Sequence, residues 1–181
     1  DLHLHAPQYT FRASGMDLEL LDWLNTYTFP QEARYEDTEF AKEAYSIFTE
    51  DMKKSPNTRA CIFGTLHVPA TEILMEQLDK TGIKAMVGKV NMDRNGSPQL
   101  QEESAQASAD ATVQWIKDTL DKFENVKPIL TPRFTPSCSD ALMEKLSEIQ
   151  KKYHLPMQSH LSENFGEIAW VKELCPNTHF Y

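Results

Sequence analysis

From residue 58 onward the chain alternates between two hydrophobic rhythms, and this alternation narrows the available folds more than any other feature. Segments 58–65, 83–90, 126–131 and 155–160 carry the short apolar runs of strands, whereas 71–81, 102–123, 139–153 and 162–174 carry helical spacing. The last helix but one is expected to start after a Ser137 cap. Strands alternating with helices imply a parallel sheet with right-handed crossovers. With the extended run at the first residues, about five βα units are expected, an α/β chain forming an incomplete (β/α)8 TIM barrel. Eight units typically take roughly 250 residues, so residues 1–181 are expected to be the N-terminal part of a catalytic barrel domain. The remaining strands, and any small β domain, would then lie outside this chain. Functional side chains of such a barrel gather at the carboxyl ends of its strands.

Before residue 58 the pattern is helical. Residues 18–24 repeat apolar side chains at helical spacing and are expected to stop near Pro30, giving a short helix in a long first loop. Residues 37–54 read as an amphipathic helix with Phe40, Ala44, Ile47, Phe48 and Met52 on one stripe, ended by Pro56. Trp23 and Phe29 have two readings, pocket lining or plain core.

The first strand carries the chemistry. In Asp1-Leu2-His3-Leu4-His5, alternate side chains share a face, so His3 and His5 converge while Leu2 and Leu4 turn into apolar packing. Two histidines near a chain end can also mean nothing. A zinc-like ion takes about four ligands near 2.0–2.1 Å, and a third imidazole, His160, closes the last strand. Glu163 follows three residues later, placed as the general base and acid of metal-assisted hydrolysis. The plainer alternative makes Ser162 a helix N-cap and Glu163 an acidic first-turn residue.

Composition excludes several classes. Hydrophobic residues make up 40% and aromatics 10%, enough for a core, and no run approaches the roughly 18 apolar residues of a membrane span. The net charge of −9 argues against a nucleic-acid partner, which needs a basic stripe. Cys61, Cys138 and Cys175 are odd in number and widely spaced, as expected of reduced thiols in a cytoplasmic enzyme, and none is assigned to the metal.

Asp1-x-His3-x-His5 followed by Ser159-His160-x-x-Glu163 resembles the amidohydrolase superfamily. His5-Ala6-Pro7-Gln8-Tyr9, the Trp23-Leu24-x-x-Tyr27-Thr28-Phe29-Pro30 segment, Pro132-Arg133-Phe134 and Gln158-Ser159-His160-Leu161-Ser162-Glu163-Asn164 narrow the resemblance to its guanine deaminase branch. The His-x-Glu and Pro-Cys-x-x-Cys signature of the other zinc deaminases is absent. The resemblance implies one Zn2+ per subunit, with iron as the alternative, held by His3, His5 and His160. An eighth-strand aspartate and a sixth-strand histidine would complete the site from outside the chain. Two-metal relatives commonly carry a bridging lysine at the fourth strand end, where this chain has Arg133, and Lys127 lies at that strand's opposite end. Gln8 and Arg133 are implied as readers of guanine, the carboxamide offering a donor and an acceptor and the guanidinium paired donors. Without the resemblance, Arg133 could equally be a surface ion pair. Phe134 would add backbone contact or stacking. The implied reaction is hydrolysis of guanine by water to xanthine and ammonia, in purine catabolism, by a homodimer.

Two rivals stand beside this. One is an amidohydrolase for another heterocycle, of the cytosine, adenosine or triazine type. The other is a non-enzymatic scaffold, which would be expected to have lost metal ligands. His67, His154 and His179 are left outside the site, His67 as a hydrogen-bonded structural residue and His154 as a helix C-terminal residue.

Overall fold

A computed structural model describes residues 1–177 and 179. Its strands are all parallel. β1 (Leu4–His5) pairs with β2 (Arg59–Phe63), β2 with β3 (Lys84–Gly88), and β3 with β5 (Val126–Pro128). A second pair, β4 (Val90–Asn91) with β6 (Thr131–Pro132), continues the third and fourth tracks. The expected strand over 83–90 is thus broken at Lys89. This lysine leaves the ladder, and its buried ammonium pairs with Glu102. That contact also explains why the following helix begins late. Glu102, expected inside it, instead accepts from the Met92 N–H and the Ser108 hydroxyl, and α5 (Ala105–Thr119) starts after a Ser104 cap.

The third and fourth tracks approach closely because residue 88 is glycine. A Cβ there would stand 1.7 Å from Thr131 Oγ1. The fifth track, expected as a strand over 155–160, is extended but forms a single parallel bridge, Leu130 to Met157. Gln158 N–H donates to the Leu130 carbonyl at 2.9 Å and His160 N–H to the Arg133 carbonyl at 3.1 Å. Pro156 has no N–H to give, and the change of partner from Leu130 to Arg133 interrupts a regular ladder.

The helices cover one face of this sheet. α3 (Thr38–Lys54), α4 (Val68–Asp79), α5 and α6 (Asp140–Tyr153) pack Phe48, Leu74, Trp115 and Leu142 against Ile62, Val87 and Val126. By strand alternation Phe63 and Met86 turn to the opposite face. Asp37 caps α3, accepting from Glu39 and Phe40 N–H groups. The buried stripe of α3 is Ala41, Ala44, Tyr45, Phe48 and Met52, so the expected stripe is rotated. Ile47 is 49% exposed, because the Tyr45 ring turns inward to meet Tyr35 at 4.8 Å.

Three further expectations are corrected. Leu2 is 78% exposed rather than packed: the Asp1 backbone bonds to Arg59 and Cys61 while Leu4 pairs with Ile62, so the chain bulges between them and position 2 leaves the regular alternation. The helix after the first strand does not stop near Pro30. α1 (Leu20–Trp23) runs through a π turn, Leu24–Thr28, into α2 (Phe29–Ala33), with Pro30 directly after the π turn, where the regular bond its missing N–H cannot make is already interrupted. Finally, α6 is capped by Ser139, which accepts from Leu142 N–H; Ser137 is buried in a 3-10 turn and donates to the Phe134 carbonyl.

Candidate active site

The carboxyl ends of β1, β6 and the fifth track meet in one pocket of about 210 Å³, lined by His3, His5, Gln8, Arg133, Phe134, His160 and Glu163 together. The seven residues assigned to the site from sequence therefore lie in one place. Trp23 also lines it, whereas Phe29 lies in the core beneath.

The three imidazoles converge as the strand geometry demands. Their ligand atoms all lie within 4.8 Å of one another, and His5 Nε2 and His160 Nε2 are 2.8 Å apart. Ligands of a tetrahedral zinc stand roughly 3.3 Å apart at such bond lengths, so small rotations suffice. Phe63, a residue the sequence reading missed, packs against the cluster, its ring 4.4 Å from those of both His5 and His160. Its only sequence signal is strand alternation, which puts it on the inner face beside them. Burial, reinforced by Arg133, holds the pKa of His5 well below the ordinary histidine range. Burial likewise lowers His160 to about 4, against the opposing effect of its bond to the Arg133 carbonyl. Both rings are thus neutral at pH 7, as ligation requires. His160 Nδ1 donates to that carbonyl at 2.6 Å, which leaves the Nε2 lone pair facing the cluster.

Glu163 is not a first-turn acid. Ser162 adopts a left-handed conformation (φ 56°) and cannot cap; Asn164 caps α7 (Phe165–Leu174), accepting from Glu167 N–H, so Glu163 stands outside the helix. The buried Glu167 carboxylate accepts the Glu163 N–H at 2.6 Å and holds the turn. Burial first, and then the Glu167 charge, raise the Glu163 carboxyl above its ordinary range. A proton acceptor near the imidazoles with a raised pKa is suited to shuttling.

Arg133 does form an ion pair, but a buried one inside the pocket. At 3% exposure its Nη1 and Nη2 donate to the two oxygens of Glu32, at 2.5 and 3.2 Å. Glu32 is 1% exposed and also accepts from Gln8 Nε2 at 3.1 Å. Sequence reasoning missed Glu32 because it is one acidic residue among 27. The available signal was its place two residues after the Tyr27-Thr28-Phe29-Pro30 segment. Phe134 is buried and meets the Trp170 ring at 6.3 Å. Lys127 Nζ donates to the Leu120 and Phe123 carbonyls at the far end of its strand, away from the pocket.

The model of the Amidohydrolase family matches residues 1–180. The chain belongs to the amidohydrolase family. Its curated relatives include the guanine deaminases of Rattus norvegicus, 46% identical over all of this chain and 40% of the relative, and of Escherichia coli, 34% identical over all of it and 41% of the relative. The chain spans about two fifths of the length of these relatives. Among solved structures, a guanine deaminase from C. acetobutylicum with guanine in its active site superposes with a TM-score of 0.97 and 49% identity, covering all of this chain and 43% of that one. An adenosine deaminase from Xanthomonas campestris with bound zinc shares the fold at 18% identity and a TM-score of 0.77, over 97% of this chain and 38% of that one. The parallel α/β arrangement is accordingly part of an amidohydrolase barrel.

The donor set of this amidohydrolase fits a borderline metal. Three imidazoles within reach of one another suit zinc or iron better than magnesium or calcium, which prefer oxygen ligands. Of the histidines left aside, His154 ends α6 in a left-handed conformation, as its helix-terminal reading expects. His67 departs from expectation: its Nε2 is buried and has no hydrogen-bond partner among the described residues. Its backbone is engaged instead, the N–H donating to Thr65 Oγ1 and the carbonyl accepting from the Thr71 N–H.

Proposed function

We propose that the protein containing this chain hydrolyses guanine to xanthine and ammonia, as a single-zinc enzyme. The observation that carries this reading is the convergence of His3, His5 and His160 beside Glu163 in a pocket that also holds Gln8 and Arg133. The close similarity to a guanine deaminase solved with guanine supports the substrate class.

His3, His5 and His160 would hold the ion, which when bound supplies the Lewis acidity that brings a water's pKa toward 7. Glu163 accepts the proton of the attacking water as its oxygen bonds to C2, and returns it to ring N3. A second transfer through the same carboxyl delivers a proton to the departing amine, so that water and guanine become xanthine and ammonia without other reactants. Gln8 and Arg133 orient the base, and Phe134 borders it. Trp23 and Leu24 line the same pocket. The raised pKa of Glu163 serves both halves of this cycle, because a stronger base is a better acceptor and still a competent donor near neutrality. The same reading makes the enzyme a cytoplasmic homodimer acting in purine catabolism.

The test is steady-state turnover of guanine, adenine and cytosine by the full-length protein, with metal analysis of the same preparation. Guanine turnover well above that of the other two, with one zinc per subunit, is expected. Faster turnover of cytosine or adenine would replace this substrate assignment.

A further inference from the structure

Glu32 touches neither the histidines nor Glu163 among the described contacts, yet it joins the two side chains that face the base. Its oxygens take Nη1 and Nη2 of Arg133, and Oε1 also takes Nε2 of Gln8. It does so from α2, where Phe29, one turn earlier on the same helical face, lies 5.1 Å beneath the guanidinium. Ring and carboxylate together grip Arg133 from one short helix.

We infer that Glu32 is a positioning residue that sets the hydrogen-bond polarity of the pocket, so that it reads a ring N–H beside an exocyclic oxygen. A carboxylate only accepts. The end of Gln8 that meets Glu32 must therefore be its NH2. Its carbonyl oxygen accepts no bond among the described residues and is the end left for a ligand. Arg133 spends one N–H of each terminal nitrogen on Glu32, and its remaining N–H groups can only donate. The pocket thereby presents one acceptor and fixed donors. Their complement is a lactam edge, N1–H next to O6 in guanine, and an amidine edge with its ring nitrogen unprotonated is mismatched. The paired donors expected to read the substrate oxygen are thus not the ones available. They hold Glu32, and the outer N–H groups do the reading. This inference rests on the deaminase reading above.

The test uses two substrates that share the C2 amine. Guanine carries the lactam edge; 2-aminopurine lacks the oxygen and has N1 unprotonated. In the full-length enzyme, wild type is expected to prefer guanine strongly, since sites built around hydrogen bonds reject analogues that lack them. Glu32→Gln, which can donate as well as accept and so releases Gln8 to turn over, should lower kcat/KM for guanine at least about tenfold, mostly through KM. Turnover of 2-aminopurine should change less than about threefold, and zinc content should not change. A merely structural role would depress both substrates together, and an unchanged preference ratio would overturn the inference. Should Glu32→Gln fail to fold, the paired replacement of Glu32 and Arg133 by methionine removes both charges at once, a change buried pairs commonly tolerate. It must lose more of the preference than Arg133→Lys, which leaves Glu32 in place, and a ratio no lower than that of Arg133→Lys overturns the inference equally. Wild-type inactivity on guanine would overturn the deaminase reading and this inference with it.

Discussion

His5 Nε2 and His160 Nε2 stand 2.8 Å apart, although 155 positions separate them in the chain. The first residue ends the first parallel track and the second ends the fifth, and Phe63 lies against both rings. Two neutral imidazoles at this distance share one proton or ligate one cation, and His3 closes the third side.

Removing either outer member of this set should therefore empty the metal site. His3→Ala or His160→Ala in the full-length protein leaves too few ligands for tight binding. Metal analysis of the folded variants should find less than a tenth of the wild-type zinc, roughly, given a pocket that already offers an open position. Stoichiometric zinc in both would end the assignment. Chelation of the wild type should likewise abolish turnover and lower Tm, with zinc restoring both, because an ion that binds only the folded state stabilises it.

Glu163→Gln should retain zinc and bind guanine, yet lose turnover by about 10²–10⁴-fold, since a carboxamide keeps the shape without carrying the proton. The pH dependence follows from the direction of its shift. Burial and Glu167 raise the Glu163 carboxyl, and the base must be ionised to act. The acid limb of kcat/KM should then lie above the ordinary carboxylate range, activity being lost as pH falls through it. Glu167→Gln removes the second of these causes and should move that limb to lower pH. A limb that stays put would show that Glu167 acts only by holding the turn.

Arg133→Ala should cut kcat/KM for guanine at least about tenfold with zinc retained, because hydrogen bonds to a charged group are worth about 1.5–3 kcal/mol each. It also leaves Glu32 buried without its partner, so a stability loss of about 3–5 kcal/mol is expected in denaturant titration. Arg133→Lys should recover part of the stability and little of the activity, since a point charge cannot bind both Glu32 oxygens and still donate toward the base. Unaltered guanine kinetics in Arg133→Ala would remove it from the binding machinery.

Gly88→Ala tests the barrel rather than the chemistry. Its Cβ would fall on Thr131 Oγ1, so the third and fourth tracks must separate. Overpacking of this kind costs about 1–3 kcal/mol. Because β4 and β6 lead directly to Arg133, guanine turnover should fall along with stability. Full activity with unchanged urea unfolding would mean that the tracks have room to spare.

The strand–helix alternation, the convergence of His3 with His5, and the candidacy of His160 and Glu163 were all legible in sequence, because each depends on local periodicity: two residues per side-chain repeat in strands, 3.6 in helices. Helix existence followed the same rule; helix starts did not. Glu102 and Ser162 look like helical residues, but one is claimed by the buried Lys89 and the other turns left-handed so that Glu163 can face the histidines. The resemblance implied Arg133 and Gln8 as polar readers, but not the direction in which each would point. That was decided by Glu32, a residue with no periodic signature, whose importance arises only when the chain brings it from 101 positions away against Arg133. Periodicity reports which face of an element is apolar, so it determined the layers and the strand ends. The polarity of the pocket depends on which buried acceptor meets which donor, and only tertiary packing makes that choice.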